Sequence, residues 1–428
     1  MKFIYKIFTG IFFFFILFGI GFSWQDLKQG HLPSQETLAR LLTPADKHPK
    51  ISPTQLFKEN YDTIFSRYYK TIPHDKLKYA AMSGLLSSIG DPYTVFLDPK
   101  TAKEFLQDTK GNLVGIGALL SADRLGARIR KVYPGTPAKL SGIQNGDLIV
   151  AVNGKAIEGE DIFKIVPKIR GQENTIVKLS ILRGSSSKPL LFSIKRKNFS
   201  VPTVDSKYDP LTQIGYIGIT SFLEPTTAQF SEALQDLAKK PTQGLVIDLR
   251  WNPGGLLEVA TQMLSKFIDH QLVVTMKIKG NQDITEYTKS GQVISKKYPI
   301  VILINEESAS AAEIFAGVLR DAKLATLVGE HTYGKASVQQ PIPLVDGSCA
   351  KITIARYLLP KGEDISRKVD QDMQYVSGGL KPEVEVAFEP GPDFEQGEIT
   401  KDSQFKKAVQ VLKSKAATQT AQTAPATS

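Results

Sequence analysis

Three short stretches of the chain concentrate the residue types that do chemistry. The first is "GEHTYGKAS", residues 329–337. Gly329, Gly334 and Lys335 follow the spacing of a phosphate-binding loop: a glycine, four residues, a second glycine, a lysine, then Ser or Thr. Ala336 stands where the magnesium-binding hydroxyl belongs. Such a loop must also open a helix whose N-terminus faces phosphate. The residues that follow, "ASVQQPIPLVDGS", carry Pro341 and Pro343 and read as extended chain. Lys335 is therefore expected to be a general base or a turn lysine, not a phosphate ligand. His331, four residues earlier, is a second candidate base, with Asp248 or Asp321 as a conceivable partner.

A base needs a nucleophile. "VILINEESASAAEIF" places Ser308 and Ser310 where an apolar strand turns into a helix. A serine there can project its hydroxyl, and the positive end of the helix favours developing negative charge. The same position suits a serine that merely caps the helix. The third stretch, "DLRWNPGG", ends another apolar strand in Asn252, Pro253, Gly254 and Gly255. Glycines there expose backbone N–H groups that can hold an oxyanion.

The elements that must position these residues alternate. From Val201, "QIGYIGITSF", "GLVIDLR", "YPIVILIN" and "ATLVGE" read as strands. "TTAQFSEALQDLAKK", "LLEVATQMLSKFID" and "SAAEIFAGVLRDA" between them read as helices. That alternation predicts an α/β domain with helices covering a sheet, and its strand ends are where a site would form. Residues 54–110 read as helical, with Leu56, Tyr61, Ile64, Phe65 and Tyr68 at helical spacing. "GDPYTVFLDPK" turns the chain after them. Residues 111–199 read as short strands and turns around one short helix, "EDIFKIVPKIRG", which Pro167 should kink or confine to its first turns.

The 428 residues suffice for two or three domains, and the 42% hydrophobic and 22% charged content is ordinary for globular chains. The net charge of +10 is scattered rather than gathered in a basic stripe, so no nucleic-acid partner is expected. One cysteine, Cys349, excludes an intrachain disulfide. The five dispersed histidines show no metal-ligand spacing, and no metal or nucleotide cofactor is expected. Lys2 and Lys6 precede an apolar run over residues 7–22, the pattern of an export signal or a retained anchor in contact with the membrane. The rest of the chain is accordingly expected outside the cytoplasm, in a bacterial periplasm.

Taken in order, "DLRWNPGG", "SASAAEIFAGVLRDA" and "VGEHTYGKASVQQ" resemble the core of the carboxyl-terminal processing (tail-specific) serine proteases. "GDPYTVFLDP" resembles the segment that precedes their PDZ domain. "VGIGALL" through "KVYPGTPAKLSGIQNGDLIVAVNGKAI" resembles that PDZ domain. The resemblance covers roughly residues 55–390. It implies a crotonase/ClpP-like protease core with an inserted PDZ domain and a Ser–Lys dyad. Matched residue by residue, the nucleophile falls on Ser310 and the general base on Lys335. The glutamine that positions the lysine falls on Gln339. The oxyanion N–H groups fall on Ala311 and the Gly254–Gly255 turn. A PDZ domain captures an extended C-terminus by strand addition. Gly115, Ile116 and Gly117 would form its carboxylate loop, and Ile162, Phe163 and Val166 would line its side-chain pocket, although some of these are equally candidates for plain core.

The resulting map has a signal or anchor over 1–25, a linker over 26–53 and a helical segment over 54–110. A PDZ domain follows over 111–199, the protease core over 200–391, and a polar low-complexity tail over 392–428, of which "AATQTAQTAPATS" is expected to stay disordered. The activity implied is an exported endopeptidase cleaving protein substrates near nonpolar C-termini. The resemblance adds a possible adaptor lipoprotein and self-association, with the helices of 54–110 as an assembly surface. The alternative is a catalytically idle PDZ scaffold that binds tails.

Overall fold

A computed structural model describes residues 51–423 apart from 201, 281–282, 294–297, 373, 390–393, 395 and 399. The apolar run 7–22 and its anchoring role lie outside the described residues. The chain divides into two compact units at Lys78 and Tyr79. In the first, α1 (Pro53–Arg67) opens on Pro53 with Ser52 as N-cap, its side chain accepting from the Gln55 N–H at 3.1 Å. Phe65 packs its ring 3.8 Å from that of His74, the first residue of α2 (His74–Ser87).

The second unit begins at Tyr79 within α2 and continues with β1 (Val95–Leu97) and α3 (Pro99–Thr109), so the segment read as helical through residue 110 contains a strand. Next come β2 (Asn112–Gly115), β3 (Ala118–Asp123), β4 (Gly126–Val132), α4 (Pro137–Leu140), β5 (Leu148–Val152) and β6 (Lys155–Ala156). They are followed by α5 (Ile162–Ile169), β7 (Ile176–Leu182), β8 (Leu190–Lys195) and β9 (Lys197–Ser200). Strands β3, β4, β5, β7 and β8 pair in that order, with β6 on β5. Ile129, Ile149, Ile165, Val177 and Ile181 fill the core of this module. The module enters and leaves through a separate two-stranded ribbon, β2 antiparallel to β9, with Gly115 opposite Lys197. As expected of a helix that Pro167 limits, α5 is short and ends at Ile169, two residues past the proline. Ile162, Ile165 and Ile169 all face the module core, and that burial holds the last turn in place.

The remaining chain builds the α/β core. Its elements are β10 (Val204–Asp209), β11 (Ile214–Ile219), α6 (Thr226–Ala238), β12 (Gly244–Asp248), α7 (Leu257–Leu264), β13 (Leu272–Ile278), β14 (Ile284–Tyr287) and β15 (Ile300–Ile304). They continue with α8 (Ala311–Asp321), β16 (Ala325–Gly329), β17 (Ser337–Pro343), β18 (Cys349–Leu358), β19 (Lys368–Val369), β20 (Tyr375–Ser377), β21 (Val384–Glu385) and α9 (Ser403–Thr423). The main sheet runs β10-β11-β12-β15-β16-β21, parallel except for β10. Strands β11, β12, β15 and β16 are buried along their whole length, which is why they read as unbroken apolar runs. Ile217, Ile247, Ile302 and Leu327 lie side by side across the sheet, packed with Phe230, Met263, Phe315 and Leu319 of the helices on one face.

Tyr216, Val246 and Val301 point the other way and meet Phe405, Ala408, Val409 and Leu412 of α9. The polar tail thus carries a helix over 403–423, which runs into the stretch 416–428 that was expected to stay disordered. Phe405, Val409 and Leu412 each contribute about 1.5–3 kcal/mol on burial, and α9 thereby covers the second face of the sheet. A second sheet, β1-β18-β13-β14 with β17 on β18, was not foreseen from the pattern.

Candidate active site

Parallel strands bring three loops to one edge of the main sheet: those after β12, β15 and β16. The loop after β15 contains Ser308 and Ser310, and the two do different work. Ser308 is fully buried, accepts from the Asn305 N–H at 3.0 Å and donates to the Leu249 carbonyl at 2.8 Å, so it is a structural brace. Ser310 immediately precedes α8 at φ 55°, ψ −118°, a strained backbone for a residue with a Cβ. Its N–H donates to Oε2 of Glu313 at 2.8 Å.

Glu313 organises the site. Its side chain is fully buried, and it accepts from four donors. Oε2 takes the N–H groups of Ser310 at 2.8 Å and Lys335 at 2.9 Å. Oε1 takes the Gly334 N–H at 2.7 Å and the Thr332 hydroxyl. One carboxylate oxygen therefore ties the main chains of Ser310 and Lys335 together. The same contacts dispose of the phosphate-loop resemblance, because the loop's N–H groups are spent on an internal carboxylate and β17 follows instead of a helix. Burial pushes the Glu313 carboxyl upward, against the pull of these donors.

Lys335 is half-buried as a residue, and its amine lies 4.6 Å from the centre of the Tyr93 ring. Burial brings its pKa down from 10.5 to about 8, aided by the positive charge of Lys351 and opposed by Glu313 and Asp91. Its carbonyl accepts from the buried Tyr357 hydroxyl at 2.8 Å. Gln339 does not meet Lys335 in this arrangement. Its carboxamide donates to the hydroxyls of Ser337 at 2.9 Å and Thr353 at 3.2 Å.

The turn after β12 is stitched to the serine segment. Asn252 accepts the Ala309 N–H through its carbonyl at 2.9 Å, and Asn305 Oδ1 accepts the Trp251 N–H at 2.9 Å. A Cβ on Gly254 would lie 2.6 Å from the Ala309 carbonyl oxygen and 2.9 Å from the Ala311 nitrogen, so only glycine fits there. The Gly254 N–H is given to Asn252 Oδ1 at 2.8 Å. Among the described residues, the Ala311 and Gly255 N–H groups have no acceptor.

His331 is directed elsewhere. Its Nε2 is 3.3 Å from Glu306 and its ring stacks on Tyr375, with the Glu306 carboxylate holding its pKa above the usual value. Neither imagined partner reaches it. Asp248 pairs with buried Arg250, and Asp321 with Arg320 and Lys361.

The module residues read as a carboxylate loop and pocket come together. Gly115, Ile116, Gly117, Ile162, Phe163 and Val166 border one cavity of about 330 Å³ that also reaches Ser221, Trp251, Pro253 and Glu307 of the α/β core. Ile116 and Ile162 are at the same time buried members of the module core, whereas Phe163 and Val166 are half-buried and line the cavity. Phe163 meets Tyr333 edge to face at 4.6 Å. Arg130 lies 5.2 Å from the Trp251 ring and 4.8 Å from that of Phe388. Glu307 accepts the Ala122 N–H, and burial raises its pKa to about 8.

Sequence reasoning passed over Asp91, Tyr93, Glu313, Lys351 and Tyr357. For Glu313 the signal was present: Ser310 and Glu313 form the S-x-x-E pattern of a capping box. For the others no local signal exists, because strand pairing alone brings them near Lys335.

An α/β sheet carrying an inserted PDZ module, with a serine and a partly desolvated lysine at its strand ends, is the architecture of a processing peptidase. Residues 213–386 match peptidase family S41, residues 128–183 a PDZ domain, and residues 19–101 the activating protease CtpB N-terminal domain. The carboxy-terminal processing protease CtpB of Bacillus subtilis is 34% identical over 338 residues, 78% of this chain and 68% of that protein. Its CtpA counterpart from the same organism is 36% identical over 336 residues, with the same coverage. The structure of the photosystem II D1 C-terminal processing protease aligns with a TM-score of 0.56 and 25% identity, over 86% of this chain and 99% of that one. The chain belongs to the S41 family of PDZ-containing carboxy-terminal processing proteases, serine-type peptidases. Among the described residues, no helix is long and apolar enough to cross a membrane.

Proposed function

We propose that the protein is an exported endopeptidase that cleaves protein substrates near nonpolar C-termini, with Ser310 as nucleophile and Lys335 as general base. The observation that carries this reading is the Glu313 carboxylate, which holds both main chains on one oxygen. An ordinary lysine is protonated at neutral pH and cannot accept a proton. A lysine brought down to about 8 by burial is neutral in part, about a tenth at pH 7. Ser310 Oγ attacks the scissile carbonyl carbon as its proton passes to Lys335 Nζ. The oxyanion that forms is met by the Ala311 N–H and by the Gly254–Gly255 turn. The carbon–nitrogen bond then breaks, and the leaving amine takes the proton from Lys335. Water enters with Lys335 again as base and releases the acyl group. Gln339 is assigned the positioning of Lys335 in the substrate-bound arrangement. A neutral carboxamide can do so without raising the lysine's pKa as a carboxylate would.

The substrate tail is read by the PDZ cavity, its carboxylate at Gly115–Gly117 and its side chain against Phe163 and Val166. Docking of the module on the core makes tail binding and cleavage interdependent. The reading also places the protein outside the cytoplasm, with self-association and an adaptor lipoprotein as partners to be sought. The test is cleavage of a loosely folded protein bearing an apolar tail, by wild type, Ser310→Ala and Lys335→Ala. Cleavage by wild type alone is expected. Full activity in Lys335→Ala would remove the base assignment. Deletion of residues 112–198 should alter rate or tail preference, and an unchanged enzyme would remove the role given to the module.

A further inference from the structure

The amine of Lys335 needs a cover, because a lysine open to water keeps its ordinary pKa. We propose that Tyr93 is the positioning residue that supplies this cover, its ring face closing the Lys335 amine off from solvent. The inference rests on Lys335 being the base. The ring centre is 4.6 Å from Nζ. Its placement is rigid for a residue in a turn. The Tyr93 N–H donates to Asp91 Oδ1 at 3.0 Å, and its hydroxyl donates to that of Tyr333 at 3.2 Å. The next residue, buried Thr94, donates to Asp91 Oδ2 at 2.7 Å and accepts the Thr353 N–H at 3.0 Å. Strand β1 then pairs with β18, Val95 opposite Lys351. Tyr93 is thereby delivered to the lysine from a segment that precedes the whole PDZ module.

The ring acts on the amine in two opposed ways. Its π-face attracts the ammonium form by roughly 0.5–2 kcal/mol, which raises the pKa by about 0.4–1.5 units. Exclusion of water disfavours the ammonium by up to about 3–5 units in a fully buried site. The cover therefore outweighs the attraction, and a net downward shift results. The other charged groups facing the amine are Lys351 from β18, which lowers its pKa, and Glu313 from α8 and Asp91 from the Tyr93 turn, which raise it. Tyr333 adds a neutral phenol on the far side of Tyr93.

The test is the pH dependence of kcat/KM for full-length protein on an apolar-tailed substrate, recorded for wild type, Tyr93→Phe, Tyr93→Leu, Tyr93→Gln and Lys335→Ala. Each profile is repeated in a Glu307→Gln background, because Glu307 titrates in the same range. Leu and Gln have similar size, but only Gln holds water at the amine. Tyr93→Gln is expected to move the acid limb upward by about one unit, with about tenfold lower activity near neutrality and wild-type activity regained in alkali. Tyr93→Phe should keep the limb within a few tenths of wild type, and Tyr93→Leu, which keeps the cover but lacks the π-face, should leave it there or move it downward. Equal loss at every pH in Tyr93→Gln, or coincident limbs for Leu and Gln, would overturn the assignment. Thermal melts identify a misfolded variant, and Tyr93→Asn then replaces Tyr93→Gln. Undiminished activity in Lys335→Ala would instead overturn the base reading, leaving a different signature from failure of the Tyr93 proposal.

Discussion

The catalytic centre and the PDZ cavity are built on opposite plans. At the centre, Glu313 satisfies four donors at once and fixes the Ser310 and Lys335 main chains relative to each other. At the cavity, two folding modules meet through a few separate contacts: Phe163 on Tyr333, Arg130 on Trp251 and Phe388, Glu307 on Ala122, and a half-exposed Lys131–Asp205 ion pair at 3.0 Å. The first arrangement cannot shift without leaving a buried carboxylate or buried N–H groups unpaired, each a penalty of about 1–3 kcal/mol. The second can separate one contact at a time. In the proposed reading, chemistry that depends on fractions of an ångström sits on the rigid plan, and selection among substrates sits on the yielding one.

The contrast can be broken most sharply at the dyad. Ser310→Ala and Lys335→Ala should each lower cleavage by about 10⁴-fold or more while leaving tail binding to the PDZ cavity intact, measured by peptide titration. Glu313→Gln comes next. Its amide nitrogen cannot accept, so two of the four donors lose their partner, and about 10²-fold lower kcat is expected with little change in KM. If KM rose and kcat held, the rigid plan would be the wrong description.

Arg250→Met tests the other face of the sheet. Arg250 is fully buried and paired at 2.6 Å with both Asp248 and Asp402, the residue that receives the Phe405 N–H as α9 begins. Loss of the cation strands two buried carboxylates, and about 3 kcal/mol lower stability in denaturant titration is expected. Burial alone would raise the Asp402 pKa, but Arg250 outweighs this and holds it below 3.8. Its contribution is therefore present above the unfolded value and lost as pH falls through the folded one. Destabilisation of wild type that Arg250→Met does not share should appear only in acid.

The pH–rate profile of wild type should rise about tenfold per unit below an acid limb near 8 and level off above it. The smallest effect belongs to the cavity. Phe163→Ala removes one half-buried ring, and a several-fold rise in KM for apolar tails with kcat retained is expected. A large loss of kcat there would show that the two plans are less separate than their contacts indicate.

The fold of the core was legible because its strands are buried on both faces and leave apolar runs that only a covered parallel sheet explains. The placing of the turn glycines, the Ser308–Ser310 pair and Lys335 after the ends of those strands was legible for the same reason, whereas the choice of Ser310 and Lys335 came from the family resemblance. The helix over 403–423 was hidden by the composition of the residues that follow it, although Phe405, Ala408, Val409 and Leu412 recur at helical spacing. Tyr93 had no local signal, for it reaches the site from 240 residues before Tyr333. The separation of Gln339 from Lys335 was equally beyond the pattern. Its carboxamide finds nearer hydroxyls on Ser337 and on the neighbouring strand.

The β2–β9 ribbon carries a consequence for ancestry and for engineering. Because Asn112 pairs with Ser200 and Gly115 with Lys197, the PDZ module begins and ends at one place on the protease. A domain whose two ends already touch can be exchanged without rethreading either partner. The PDZ module, the proposed tail reader, is thus a cassette. A chain in which residues 116–196 are replaced by a domain with adjoining termini and another appetite would keep its peptidase core and change what that core is shown.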